Sequence, residues 1–115
     1  SRGLGDVYKR QAKQMVYTAR NIKAEEALRI GLVNAVYPLE ELYGAAEKLA
    51  SQIAANAPIA VRASKKAINE GLDLAMGEAV VVEEKAFGSC FESQDQQEGM
   101  GAFLEKRKHE PFTNK

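Results

Sequence analysis

The sequence contains no tryptophan, one cysteine and one histidine. The lone Cys90 allows no internal disulfide and no thiolate zinc cluster. With no disulfide to maintain, the chain fits a reducing, cytoplasmic setting. The lone His109 lies in a polar run without a positioned partner, which removes the usual nucleophile–base pair. Sixteen basic side chains are matched by sixteen acidic ones. A net charge of zero argues against nucleic acid or an anionic membrane surface as the main partner, since both rely on clustered positive charge. No apolar run is long enough to cross a bilayer. The opening SRGLGDVYKRQ holds no apolar stretch of the kind that directs secretion. A chain of 115 residues forms one domain at most and buries a modest share of its surface.

Residues 1–11 read as foreign. Asp6 to Gln11 spell DVYKRQ, which the DNA string GAT GTG TAT AAG AGA CAG encodes. That string resembles the end of a transposase adaptor used to fragment DNA for sequencing. The expectation is a non-native leader over 1–11, with the protein proper starting near Ala12.

From there the pattern is helical. Ala12 to Ala19 is helix-permissive. A second helix is expected over Ala24 to Ile30. Gly31 stands where a helix end needs a left-handed residue, and Leu32 supplies the accompanying apolar contact. Val33 to Tyr37 alternates weakly and predicts one short strand before Pro38. Leu39, Leu42, Ala45, Ala46, Leu49, Ala50 and Ile53 recur at three-and-four spacing, predicting an amphipathic helix over Leu39 to Ala55. Pro58 suits the first turn of a helix over Ile59 to Glu70 that Gly71 closes. Another helix spans Gly77 to Glu92, with Val80, Phe87 and Phe91 on one face. Ser93 and Gln96 have capping-box spacing for a further helix reaching Lys108. The cations Lys106, Arg107 and Lys108 would complement its dipole, and Pro111 would stop it. The fold class is mostly α.

Local chemistry names no reaction. Cys90 sits beside Phe87 and Phe91 with nothing near it to lower its pKa, so it reads as a structural thiol. The pairs Glu25-Glu26, Glu40-Glu41 and Glu83-Glu84 are adjacent, and neighbours on a helix point about 100° apart, so they do not converge on one atom. Gly99-Met100-Gly101 lacks the strand–turn–helix context and the third glycine of a phosphate loop. No metal site is expected.

Three stretches carry a family pattern: TARNIKAEEALRIGLVNAVYP (Thr18 to Pro38), ANAPIAVRASKKAINEGL (Ala55 to Leu72) and FESQDQQEGMGAFLEKRK (Phe91 to Lys108). In this order and spacing they resemble the C-terminal portion of the enoyl-CoA hydratase/isomerase, or crotonase, family. Within it the sequence looks most like the short-chain members that dehydrate 3-hydroxybutyryl-CoA. The resemblance implies the helical, trimer-forming region of an α/β ββα-superhelix fold, with two trimers stacking into a hexamer. It implies reversible hydration of a short-chain 2-enoyl-CoA such as crotonyl-CoA, with no separate cofactor because CoA is part of the substrate. The family's oxyanion hole and two catalytic glutamates precede the matched region, so no catalytic residue is expected here and the isolated chain should be inactive. What carries over is CoA contact. An aromatic and a lysine on the family's last helix match Phe103 and Lys106, and an aromatic on the preceding helix matches Phe87. Another crotonase-fold reaction, such as isomerisation or thioester hydrolysis, remains an alternative. So does a non-catalytic helical assembly module.

Overall fold

The computed structural model describes residues 2–115, with side chains from Tyr8 onward. Six helices follow in order: α1 (Arg2–Thr18), α2 (Ala24–Arg29), α3 (Leu39–Ala54), α4 (Pro58–Gly71), α5 (Met76–Cys90) and α6 (Gln94–Leu104). Among the described residues there is no strand, and no helix is long and apolar enough to cross a membrane. The mostly α class is as the sequence predicts. The chain divides into two compact units, one ending at Leu42 and the other Tyr43–Lys115.

In the first unit, α1 starts at Arg2, ahead of the expected Ala12, and carries the residues read as a leader. It ends where Ala19 takes a left-handed backbone, φ 49°. That conformation costs a residue bearing a Cβ about 1–2 kcal/mol. Helix α2 stops as the sequence predicts. Ile30 caps it, and Gly31 follows at φ 76°. The Gly31 N–H donates to the Leu28 carbonyl (3.1 Å) and the Leu32 N–H to the Ala27 carbonyl (2.8 Å). This nested pair is a Schellman stop, and glycine holds its left-handed position without steric cost. Ala27 is the buried apolar residue here.

The strand expected over residues 33–37 is absent: the segment is an irregular connection into α3. A weakly alternating stretch forms a strand only when a neighbour pairs its N–H and C=O groups, and none of the described residues offers one.

In the second unit, α4 packs against α5. Pro58 occupies the first turn of α4, where its missing N–H costs nothing. Gly71 does not close the helix in a left-handed turn, as its position implied. It is the last helical residue, and it permits close approach: a Cβ built there would lie 3.5 Å from the Ala79 Cβ on α5. Helix α6 begins at the predicted place but ends at Leu104, not Lys108. Arg107 and Lys108 therefore lie beyond the helix rather than in its final turn. The physical reason is a second Schellman stop. Glu105 caps the helix, and Lys106 adopts φ 54°. The Lys106 N–H donates to the Phe103 carbonyl (3.2 Å) and the Arg107 N–H to the Ala102 carbonyl (3.0 Å).

Little apolar surface is enclosed. Ala102 is the buried apolar residue of the second unit. The amphipathic pattern of α3 is real, yet α3 buries none of its residues. Leu39 is 86% exposed and Leu49 59%. Burying one such side chain contributes about 1.5–3 kcal/mol, so this face carries unused stabilisation.

Candidate functional site

The predicted CoA-contact residues lie on α5 and at the end of α6, and α6 is held at both ends. At its start, the Ser93 hydroxyl donates to the Cys90 carbonyl (2.7 Å) and its oxygen accepts from the Gln96 N–H (3.1 Å). This is one half of the predicted capping box. The Ser93 N–H bonds to the Cys90 carbonyl instead of a Gln96 side chain. The carbonyl of Lys115 accepts from the N–H groups of Gln94 (2.7 Å) and Asp95 (3.2 Å), satisfying donors the helix leaves free.

The residues after the Lys106 turn run back along α6 as a return segment, 107–115. Asp95, 2% exposed, anchors it. Its Oδ1 accepts from the Thr113 N–H (2.6 Å) and hydroxyl (3.2 Å), and its Oδ2 from the Asn114 N–H (2.7 Å). Burial opposes charge on this carboxylate, but the three donors outweigh it and hold its pKa below the ordinary value. Asn114, itself left-handed at φ 62°, accepts a 2.7 Å bond from the Arg62 guanidinium on α4. Phe112 covers Gly99, where a Cβ would lie 3.7 Å from its ring, and stacks on His109 with centroids 4.2 Å apart.

One turn along α6 from Asp95 stands Glu98. Its Oε1 accepts from Arg107 Nη1 (2.6 Å) and from the Glu110 N–H (2.9 Å). These bonds, with the Arg107 charge, draw the Glu98 carboxyl down to about 2. Arg107 also donates from Nε to Glu105 Oε2 (2.6 Å), and its pKa is raised by the two carboxylates.

Phe103 and Lys106 sit at this turn. The Phe103 ring is 78% exposed, Lys106 is exposed, and a backbone bond joins the two. Phe87, 67% exposed, is elsewhere. It meets Phe91 edge-to-face with centroids 5.2 Å apart. Both rings line a cleft of about 480 Å³ bordered by α4, α5 and α6, whose other walls include Ala60, Ala63, Met100 and Phe112. Neither Phe103 nor Lys106 lines it. The structure thus brings two of the three residues together and leaves Phe87 in a separate apolar setting. Cys90 lines the same cleft, part-buried, its thiol directed to the Ala86 carbonyl (3.3 Å).

Asp95 and Glu98 are functional neighbours that no sequence motif singles out. Their three-residue spacing puts both on one helix face and was the available signal. Their partners lie 9 to 19 residues further on, beyond a turn that helical periodicity does not reveal.

Comparison with known proteins agrees with the motif pattern. The family model described as Enoyl-CoA hydratase/isomerase matches residues 4–115. The Short-chain-enoyl-CoA hydratase of Clostridium acetobutylicum is 52% identical over 104 residues, covering 90% of this chain and 40% of that protein. The Crotonyl-CoA hydratase of Syntrophomonas wolfei is 54% identical over 97 residues, covering 84% of this chain and 37% of that protein. The crystal structure of Enoyl-CoA Hydratase from Bacillus anthracis superposes with a TM-score of 0.85 at 37% identity, over 91% of this chain and 40% of that one. The chain spans about 40% of the length of these relatives. A match over nearly the whole chain, in sequence and in helical architecture, places it in the enoyl-CoA hydratase/isomerase family.

Proposed function

We propose that this chain is the helical part of a short-chain enoyl-CoA hydratase, a hydro-lyase that adds water reversibly across the double bond of a 2-enoyl-CoA such as crotonyl-CoA. The observation that carries the reading is the identity above one half with two relatives whose names specify short-chain and crotonyl thioesters. The part described here does not perform the chemistry. Its carboxylates at Asp95 and Glu98 are committed to the return segment and are not free to activate water. Its role is to bind. Phe103 offers an exposed ring as a platform, and Lys106 an exposed ammonium that acts as a point charge on phosphate. CoA enters as part of the substrate and no separate cofactor is required. The uncovered face of α3 and the α4–α5–α6 cleft support packing against a further surface, of the same protein or of another copy. The assembly proposed is a trimer that pairs into a hexamer. A reducing cytoplasm suits the single free thiol.

A chimera tests this directly. The matched region of the Clostridium acetobutylicum enzyme is replaced by this chain, and hydration of crotonyl-CoA is followed optically. The chimera should turn over and this chain alone should not. In the chimera, Lys106→Ala should raise KM for the thioester more than it lowers kcat, because a phosphate contact is made equally in ground and transition states. An inactive but correctly assembled chimera would count against the reading. A fall in kcat at unchanged KM would count against the role of Lys106.

A further inference from the structure

We propose that Glu98 is the positioning residue for Lys106: it fixes the left-handed turn that presents the lysine to the phosphate end of CoA. The inference rests on the reading of Lys106 as a CoA contact and adds how that contact is held.

Lys106 occupies a backbone position that favours glycine, at φ 54°. The two nested backbone bonds of the stop would form as well around glycine, so they do not by themselves account for a lysine at this position. The neighbours of Lys106 are tied down by charge. Glu105 before it and Arg107 after it are paired with each other, Nε to Oε2 at 2.6 Å. That pair spans two residues and moves with the turn, so it cannot orient the turn against the helix. Glu98 can. It belongs to α6, two turns earlier, and grips Arg107 at 2.6 Å and the Glu110 N–H at 2.9 Å. One carboxylate thereby joins the residue just after Lys106 to a point further along the return segment. Glu98 is also the less exposed partner of its ion pair, at 28% against 40% for Arg107. Its charge is spent on Arg107, so it does not repel a phosphate approaching Lys106. Arg107 is in turn engaged by two carboxylates, while Lys106 beside it is exposed and in no ion pair among the described residues.

The test uses the whole chain with coenzyme A as the probe, titrated by calorimetry into wild type, Glu98→Gln, Lys106→Ala and the double variant. Amide hydrogen exchange is read on the same proteins. In Glu98→Gln the Lys106 and Arg107 amides should exchange about tenfold faster or more, while α4 and α5 amides keep their protection. CoA should bind about tenfold more weakly to Glu98→Gln, and adding Glu98→Gln to Lys106→Ala should cost nothing further, since the two act through one contact. A merely structural role would add its cost in both backgrounds. Unchanged exchange at Lys106 and Arg107 overturns the proposal, as does full CoA affinity in Glu98→Gln beside a weakened Lys106→Ala. CoA affinity that is equal in Lys106→Ala and wild type overturns the underlying CoA reading instead, and the proposal with it. If α4 and α5 also lose protection, Arg107→Gln removes the same ion pair from its other side and is judged by the same criteria.

Discussion

Asp95 and Thr113 are bonded twice through one oxygen: Oδ1 accepts from both the backbone N–H and the hydroxyl of Thr113. With Asn114 on Oδ2, this makes the first turn of α6 the seat of the return segment. Asp95→Ala removes both acceptor oxygens and with them three hydrogen bonds to Thr113 and Asn114. The amides of Thr113 and Asn114 should then exchange about tenfold faster or more, with α5 amides unaffected. Equal exchange would mean that Asp95 is not the anchor.

Acid should release the same segment. The Glu98 carboxyl has an ordinary pKa of 4.5, lowered to about 2 in the fold, and Asp95 is lowered from 3.8. A carboxyl whose folded value is depressed stabilises above its unfolded pKa and loses that contribution as protons bind the folded form. The clasp is therefore at full strength above about pH 4.5 and weakens toward pH 2. Proton resonances of the Phe112 ring, stacked on His109, should move toward free values across that window. A transition that falls outside that window would count against the two carboxylates as the clasp.

The three left-handed stops make opposite predictions for substitution. Ala19→Gly relieves a Cβ at φ 49° and should stabilise by about 1 kcal/mol, less what glycine costs in unfolded-state entropy. Gly31→Ala imposes that Cβ at φ 76° and should destabilise by about 1–2 kcal/mol. Lys106→Gly should gain stability like Ala19→Gly while losing the ammonium. Denaturant midpoints compared at constant slope measure all three.

Ser93→Ala removes the oxygen that accepts from Gln96 at the start of α6 and should cost about 0.5–2 kcal/mol. Ser93→Asp keeps an acceptor and should recover most of that loss in the same denaturant measurement.

Features set by a few neighbouring residues were legible in the sequence. Gly31 with Leu32, Pro58, and Ser93 with Gln96 each act within one turn of their own position, and each marks a helix boundary where expected. The end of α6 was not legible, because Lys106 is a poor left-handed residue by its own preference. It takes that conformation beside an ion pair between residues nine apart. The strand over 33–37 failed for the complementary reason: alternation describes a face, and a strand also needs a partner. For the candidate site, Phe103 and Lys106 came from motif position, and the structure adds the backbone bond between them. Glu98 and Asp95 required the return path of the chain.

Helix α3 is 16 residues long, close to the length below which an isolated helix is marginal in water, about 12–15 residues. Its leucines meet solvent rather than a core. A helix in that position takes its stability from the surface that covers it, whether the rest of the same protein or a second molecule supplies that surface.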